Sequence, residues 1–393
     1  MKIMNTNFIY SAPTKVYFGE NQLENLGSEL KRYGNRVLMT YGGGSIKKNN
    51  LYDKIVAELI KAGLEVYEFG GIEPNPRHTS VNQGAAICKE KKIDVLLAVG
   101  GGSTIDATKA IGAAAFYDGD CWDLVTHKAP ITACLPIVTV LTIAATGSEM
   151  DCGGVISNLE TNDKLGLIHP LMLPKVSFLD PTNTYSVSAF QTACGGVDII
   201  SHIIDTAYFS TQDTLYMVDY FMEGLIKTVI KYAPVVIKEP DNYEARANLM
   251  WASSWALNGF IGAGKQQAPS CHMMEHELSA FYDITHGLGL AILTPRWMEY
   301  ILDETTAPKF YQFGVNVFGI DKDLPAMEVG KKAIEMLSDF FFNTLGLKST
   351  LTEIGIDDSK FERMAKKACG NGIMPGFKPL NQQDVENILK MSL

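Results

Sequence analysis

A carboxylate and several imidazoles lie at helical spacing within a largely apolar stretch of the chain. The segment Asp198-Ile-Ile-Ser-His202 is followed by His272-Met-Met-Glu-His276 and then by His286. An α-helix brings residues four apart onto one face, one turn above the other, so the end residues of each segment can point the same way. A carboxylate with neighbouring imidazoles predicts a site for a divalent first-row metal, iron or zinc.

The number of imidazoles exceeds what a catalytic metal needs. Three imidazoles and a carboxylate nearly fill a tetrahedral site, whereas catalysis requires an open position. One of the four histidines at 202, 272, 276 and 286 is therefore expected to do something other than bind metal. A single Asp-x-x-x-His arises often by chance, and a single histidine on an apolar helix is more often a core residue, so the prediction depends on the clustering. Cys271 is a soft donor beside His272, but packing is the expected role.

Two glycine-rich turns follow short apolar strands. The second, Gly100-Gly-Gly-Ser103, opens a helix and precedes Asp106. Glycines let the backbone approach a phosphate, and a helix N-terminus presents free N–H groups. The turn therefore predicts pyrophosphate binding, although it is not the G-x-G-x-x-G fingerprint. Ser103 and Asp106 could instead form a capping pair.

The first turn is expected to contact the adenosine end of a dinucleotide through Gly42, Gly43, Gly44 and Ser45. Folds that prefer NAD commonly place an acidic residue at this point to hold the ribose 2′-hydroxyl. No carboxylate follows Tyr41 here, and Lys47 and Lys48 are close. The turn therefore favours NADPH over NADH. A third loop, Ala145-Thr-Gly-Ser-Glu149, suits a cofactor or substrate contact, or a turn.

The first half of the chain alternates strands, glycine turns and helices. Such alternation predicts βαβ units in a doubly wound sheet, and continuous apolar strands predict burial on both faces. After Asp180-Pro181 the patterns become helical to the end. We predict an α/β Rossmann-like dinucleotide-binding domain over 1–183 and an all-α, metal-binding catalytic domain over 184–393. The predicted strands are 36–40, 64–69, 95–99, 136–141 and 176–179, and the predicted helices between them are 21–33, 51–62, 79–91 and 104–115.

Composition excludes several classes of partner. At 393 residues with 46% hydrophobic content, two domains with large cores are expected. The net charge of −10 argues against nucleic acid, which requires a basic surface. No run suggests a membrane span or a secretory signal. Seven scattered cysteines without C-x-x-C predict free thiols in the cytoplasm.

Taken together, these motifs resemble the iron-containing alcohol dehydrogenases, and within them the butanol dehydrogenase-like group of aldehyde reductases. The resemblance spans about residues 8 to 300. It implies a dehydroquinate synthase-like fold. The shared motifs are Tyr41-Gly-Gly-Gly-Ser45, Gly70-Gly-Ile-Glu-Pro-Asn-Pro76, Gly100-Gly-Gly-Ser103 with Asp106 and Lys109, Thr146-Gly-Ser-Glu149, Asp180-Pro181, Ala256-Leu-Asn-Gly259 and His276-Glu-Leu278.

The resemblance also assigns roles to individual residues. It implies that the metal ligands are Asp198, His202, His272 and His286, and that His276 lies beside the nicotinamide as the catalytic residue. Ala145 and Asp151 depart from the family's common pattern of Gly and Asn. The implied cofactor contacts are Asn75, Gly101, Gly102, Ser103, Asp106, Thr142, Thr146, Ser148 and Lys164.

The function expected from these features is reduction of short-chain aldehydes such as butanal by NAD(P)H, with Fe²⁺ or Zn²⁺ as Lewis acid and His276 as proton carrier. A homodimer, formed through the N-terminal extended segment, is also expected.

Three alternatives remain open. His272-Met-Met-Glu-His276 matches the H-x-x-E-H pattern of some zinc proteases, with Glu275 as base. Related folds carry dehydroquinate synthase-like or glycerol dehydrogenase-like chemistry. A catalytically silent binding protein is the third.

Overall fold

The chain forms two compact units. The computed structural model describes residues 7–209, 215–370 and 372–393. One unit is Ser11–Val187, and the other is Ser188–Leu393 together with residues 7–10. The division between Val187 and Ser188 stands beside the predicted boundary at residue 183.

The first unit is built on a parallel six-stranded sheet of order β1-β8-β5-β4-β2-β3. Strands β2, β4 and β5 are buried along almost their whole length, as their continuous apolar runs predict. The remaining two strands, β6 and β7, pair with each other in an antiparallel hairpin that the sequence analysis missed. The strands are β1 (Lys15–Phe18), β2 (Arg36–Tyr41), β3 (Glu65–Phe69), β4 (Val95–Gly100), β5 (Ile137–Leu141), β6 (Gly153–Asn158), β7 (Asp163–Ile168) and β8 (Val176–Leu179).

Helices cover both faces of this sheet. Leu30 and Ile55 lie in the core on one face, and Ala85 and Ile111 lie in the core on the other. The predicted helix over 21–33 begins instead with a 3₁₀ turn, Gln22–Asn25. The helices of this unit are α1 (Leu26–Lys31), α2 (Ser45–Lys48), α3 (Leu51–Lys61), α4 (His78–Lys91), α5 (Gly102–Ala114) and α6 (Cys121–Val125).

The glycine turns leave the same edge of the sheet. Strand β4 pairs in parallel with β2 on one side and with β5 on the other. The carboxyl ends of all three strands therefore lie side by side, and ligands of open α/β sheets bind at such an edge. This topology brings together the turns that follow Tyr41, Gly100 and Leu141.

The second unit is helical, apart from a short pairing of β9 (Ile373–Met374) with β10 (Leu380–Asn381) that the sequence analysis did not predict. A π-helix, His202–Tyr208, continues directly from α7, and a second, Phe340–Thr344, follows α13. The helices are α7 (Ala189–Ser201), α8 (Tyr216–Lys238), α9 (Tyr243–Leu257), α10 (Ser270–Tyr282), α11 (His286–Ile301), α12 (Ala307–Phe318), α13 (Ala326–Asp339), α14 (Phe361–Cys369) and α15 (Gln382–Met391).

Two further expectations concern cysteines and membrane segments. All seven cysteines are free thiols. Across the described parts of the chain, no helix combines the length and the apolar character that spanning a bilayer requires.

Candidate metal centre and cofactor turns

The four predicted metal ligands lie close together in the helical unit. Ligand atoms of Asp198, His202 and His272 all lie within 4.8 Å of one another. Oδ1 of Asp198 is 3.5 Å from Nδ1 of His202 and 3.5 Å from Nε2 of His286. The ring centroids of His272 and His286 are 5.4 Å apart. The structure thus brings one carboxylate and three imidazoles to one place.

Three helix ends supply these side chains. Asp198 lies on α7, and His202 begins the π-helix one turn later, which gives the expected four-residue spacing. His272 lies in the first turn of α10. His286 is the first residue of α11. π-helical turns inside α-helices are frequent at functional sites.

The donor atoms of this cluster fit a metal ion. Nδ1 of His202 and Nε2 of His272 are buried and make no hydrogen bond to any described residue. Leaving a buried polar atom unsatisfied costs about 1–3 kcal/mol. Burial lowers the pKa of His202 well below its ordinary value, and the neighbouring His272 and His286 lower it further. His202 is therefore neutral, which is the form that binds metal.

His276 occupies a position beside the cluster. It lies one helical turn after His272 on α10, is half-buried, and its ring centroid is 5.7 Å from that of His286. Ligand atoms of Glu275, His276 and His286 also come within 4.8 Å of one another. The imidazole of His276 is thus close enough to the cluster to act on a group bound there.

Among the described residues, Cys271 belongs to neither group of possible metal ligands. Its Sγ is 3.5 Å from the hydroxyl oxygen of Thr294. Burial raises the pKa of this thiol well above its ordinary value, so it stays protonated. A buried thiol that contacts a hydroxyl is a packing residue, as expected.

The sequence analysis missed two carboxylates that hold the imidazoles from behind. Asp205 bonds to Nδ1 of His272, and Glu275 bonds to Nδ1 of His286. Burial pushes down the pKa of His272, but the bond to Asp205 and the charges of Asp205, Asp198 and Glu275 together leave that pKa raised. The H-x-x-E-H pattern assigns Glu275 only the role of a protease base. No local pattern pairs Asp205 with His272, because 67 residues separate them in the sequence.

In the α/β unit, the second glycine turn packs tightly against the loop after β5. A Cβ on Gly101 would lie 2.2 Å from Cγ2 of Ile143, and one on Gly102 would lie 2.4 Å from the hydroxyl of Thr146. The side chains of Ile143 and Thr146 would have to shift to admit a Cβ at either position, so glycine allows the turn and the loop to pack this closely. Gly101 is the N-cap of α5, whose first N–H groups point out of the turn.

Asp106 and Ser148, both predicted cofactor contacts, bond to each other at 2.6 Å. The fully buried ammonium of Lys109 donates to Ser148 at 2.9 Å, to Asp151 at 2.7 Å and to the carbonyl of Gly153 at 2.6 Å. Burial raises the pKa of Asp106, and it raises that of Asp151 to about 6. Lys109 appeared in the sequence only as part of a motif. In the structure it joins α5 to the loop after β5.

The remaining predicted cofactor contacts belong to the first glycine turn, to the loops that follow β3 and β5, and to strand β7. A Cβ on Gly43 or Gly44 would meet nothing within 4 Å, so there is free space beside the backbone of the first turn. Thr142 donates its backbone N–H to Gly100 at 3.1 Å. Asn75 adopts a left-handed backbone with φ of 51°. Lys164 is buried on β7.

The first turn has an acidic neighbour that the sequence did not reveal. Glu68, on β3, accepts hydrogen bonds from Tyr41 at 2.8 Å and from Tyr52 at 2.5 Å. Lys47 lies 3.8 Å from the same carboxylate. Strand β3 lies next to β2, which explains how a residue so far along the chain reaches this turn.

A polar pocket of about 280 Å³ lies in the same unit. It is lined by Asn49, Leu51, Lys54, Thr182, Asn183, Tyr185 and Ser186. Its walls come from the segment that follows the first glycine turn and from the segment that follows β8. The pocket therefore adjoins the edge at which the turns lie.

Comparison with known proteins bears on both units. The family model for iron-containing alcohol dehydrogenase matches residues 13–181, and the model for the C-terminal region of that family matches residues 192–393. The chain is 51% identical to NADH-dependent butanol dehydrogenase B of Clostridium acetobutylicum, covering 98% of this chain and 100% of that protein. It is 38% identical to the NADPH-dependent aldehyde reductase YqhD of Escherichia coli, covering 93% and 94%.

Solved structures give the same result. The crystal structure of NADH-dependent butanol dehydrogenase A from Thermotoga maritima superposes with a TM-score of 0.94 at 37% identity, covering 99% of each chain. The predicted fold, a Rossmann-like α/β unit with a helical dehydroquinate synthase-like unit, is confirmed. Both halves of the chain match one family over nearly their whole length, and the protein is an oxidoreductase that belongs to the iron-containing alcohol dehydrogenases.

Proposed function

We propose that this enzyme reduces short-chain aldehydes such as butanal to alcohols with NAD(P)H, using a divalent metal held by Asp198, His202, His272 and His286. The observation that carries this proposal is the buried group of Asp198, His202 and His272, with the partly buried His286 beside it, in which Nδ1 of His202 and Nε2 of His272 make no hydrogen bond to any described residue. Relatives at 51% and 38% identity are named as a butanol dehydrogenase and an aldehyde reductase.

Each part of the chain has a defined task in this proposal. When bound, Fe²⁺ or Zn²⁺ supplies Lewis-acid chemistry and the reduced nicotinamide supplies the hydride. The four ligands hold the metal and so fix where the carbonyl oxygen binds. His276, beside them, donates the proton that completes the alcohol, since imidazole titrates near neutrality. The N-terminus of α5 binds the pyrophosphate through its free N–H groups.

The adenosine end of the cofactor is proposed to bind at the first glycine turn and the adjoining polar pocket. Open space above Gly43 and Gly44 leaves room for a 2′-phosphate, which supports the predicted preference for NADPH. Glu68 works against it, because it already balances the charge of Lys47. The relatives are also divided, since the butanol dehydrogenase is NADH-dependent and the aldehyde reductase NADPH-dependent. We propose that both cofactors are accepted, with NADPH preferred.

We also propose a homodimer in a reducing compartment such as the cytoplasm. Strand β1 is an edge of the six-stranded sheet, and edge strands are places where a second chain can pair. Ile9, just before it, is fully exposed, and Phe8 is 58% exposed. Seven free thiols suit a reducing environment. Light scattering on the purified protein measures the oligomeric state directly.

The test of activity uses purified protein loaded with Fe²⁺ or with Zn²⁺. NADPH and NADH are each mixed with butanal, and oxidation of the nicotinamide is followed by absorbance. Asp198→Ala should lose both bound metal and turnover, whereas Glu362→Ala, an exposed carboxylate change on α14, should keep both. Nucleotide binding without oxidation, or full turnover by metal-free Asp198→Ala, would contradict the proposal. Peptide cleavage without nicotinamide would revive the protease alternative.

A further inference from the structure

Two of the proposed ligands, His272 and His286, are each hydrogen-bonded to a buried carboxylate through the ring nitrogen Nδ1. We propose that Asp205 and Glu275 are positioning residues, which fix the ring orientation and the ligating nitrogen of His272 and His286. This inference rests on the proposed metal site, and it adds residues from outside the ligand set.

Asp205 receives three hydrogen bonds from the start of α10. Its Oδ2 accepts from the backbone N–H of His272 at 2.8 Å and lies 2.9 Å from Nδ1 of the same residue. Its Oδ1 accepts from the backbone N–H of Cys271 at 3.0 Å. These N–H groups are in the first helical turn and have no partner within the helix. Asp205 therefore caps α10 from another segment and holds the His272 ring with the same carboxylate.

This contact settles which nitrogen of His272 is available. An ionised carboxylate only accepts hydrogen bonds, so Nδ1 of His272 must carry the proton that it donates to Asp205. Nε2 then presents its lone pair. That atom is buried and makes no hydrogen bond among the described residues. The ring is thus set with Nε2 directed at the cluster.

Glu275 holds His286 in the corresponding way. The side chain is fully buried, with Oε2 bonded to Nδ1 of His286 and Oε1 accepting from the hydroxyl of Ser279 at 2.5 Å. On the other side of the His286 ring, Nε2 lies 3.5 Å from Oδ1 of Asp198. The ring therefore spans the distance between Glu275 and the cluster, again with Nε2 directed inward.

Gly289 makes space for this arrangement. A Cβ at that position would lie 2.8 Å from both Cγ and Oε1 of Glu275. The carboxylate thus occupies a slot between α10 and α11 that exists because residue 289 has no side chain. A buried carboxylate is costly unless it is hydrogen-bonded, and here Oε1 of Glu275 is bonded to Ser279 and Oε2 to the proposed ligand His286. Carboxylates behind metal-bound histidines typically change metal affinity about 10- to 100-fold when they are removed.

The test measures metal affinity, independently of turnover. Zn²⁺ is titrated into metal-free protein in competition with a chromogenic chelator, and thermal unfolding of the metal-free form is recorded for each variant. Asp205→Asn and Glu275→Gln should each weaken Zn²⁺ binding by about 10- to 100-fold. Ser279→Ala is the matched control, because it removes the hydroxyl that donates to Oε1 of Glu275 and keeps the bond between Oε2 and His286. It should bind Zn²⁺ within about threefold of the unchanged protein.

The outcomes separate this inference from the proposed site. If Asp198→Ala abolishes Zn²⁺ binding while Asp205→Asn and Glu275→Gln bind like the unchanged protein, the two carboxylates are ordinary core groups and the inference is wrong. If Asp198→Ala itself binds normally, the ligand set is wrong and the inference is overturned with it. Because Asp205 also caps α10, Asp205→Asn could unfold the protein. Glu275 lies within α10 and not at its cap, so the Zn²⁺ affinity of Glu275→Gln then decides between the two outcomes.

Discussion

The α-carbon of Gly287 lies directly against the backbone of Cys194, so that a Cβ at Gly287 would stand 2.2 Å from the Cys194 carbonyl oxygen. The two residues join α11 to α7 immediately beside His286 and Asp198. Because the atom that would be struck belongs to the backbone, no rotamer change can relieve the clash. The spacing of the two helices, and hence of two proposed ligands, depends on the missing side chain.

Gly287→Ala is therefore expected to destabilise the protein by about 1–3 kcal/mol, as overpacked cores do. It should also weaken metal binding, because α11 must move away from α7. Thermal unfolding and metal content measure the two effects. The matched control is Gly224→Ala, on α8, where an added Cβ meets nothing within 4 Å and should stabilise by about 0.4–1 kcal/mol. Equal melting temperatures for the two variants would refute the packing argument.

His276→Ala should separate binding from turnover. Removing a general acid typically lowers kcat by about 10²- to 10⁴-fold. Metal content should stay at the level of the unchanged protein, because His276 is not one of the proposed ligands. Metal analysis and steady-state kinetics with butanal check both statements. Loss of the metal from this variant would instead identify His276 as a ligand and would contradict the proposed set of three histidine ligands.

Glu68→Gln should shift the cofactor preference toward NADPH. The change frees Lys47 from its counter-charge at the open turn, and surface ion pairs of this kind are worth up to about 1 kcal/mol, or roughly fivefold in kcat/KM. The measurement is the ratio of kcat/KM for NADPH to that for NADH. Glu65→Gln is the control, since Glu65 begins the same strand and pairs with Arg36 away from the turn. If Glu65→Gln changes this ratio as much as Glu68→Gln does, the effect does not come from the contact between Glu68 and Lys47.

Asp151→Asn should alter how stability depends on pH. The pKa of Asp151 is raised to about 6 by burial, although Lys109 opposes the shift, and Asp106 adds to it. A carboxyl with a raised pKa contributes stability that is present below its unfolded pKa, near 3.8, and is lost as pH rises through about 6.

The melting temperature of Asp151→Asn minus that of the unchanged protein should consequently increase from pH 4 to pH 7. The increase should be about that expected from the titration of one carboxyl group. Asp118→Asn, at a fully exposed position, should show no such trend. If the difference between Asp151→Asn and the unchanged protein falls over this range, the pKa of Asp151 lies below its ordinary value.

Local patterns predicted much of the fold because local physics decides it. Val95 to Val99 form an apolar run that only a strand buried on both faces accommodates, and β4 is that strand. The hairpin of β6 and β7 escaped prediction because Gly153, Gly154 and Gly166 weaken its strand signal. The pairing of β9 with β10 involves two residues from each strand, which is too short for any periodicity.

The candidate site was predictable only in part, for a similar reason. Asp198 and His202 are neighbours along one helix, so spacing alone predicted their proximity. Glu68 lies at the first glycine turn because β3 is next to β2 in the sheet. No short stretch of sequence predicts that strand order. Asp205 meets His272 across 67 residues, through a helix of unusual pitch.

That pitch has a consequence for the tolerance of the chain to length changes. A π-turn corresponds to one residue more than an α-helical turn holds. Deleting one residue from the segment Ile203–Tyr208 would let it relax into ordinary helix. Because the π-turn holds that one extra residue, side chains beyond the deletion would keep nearly their present orientation. The same deletion within α7 would instead rotate every later side chain of the helix by roughly 100°, and would turn Asp205 away from the N-terminus of α10.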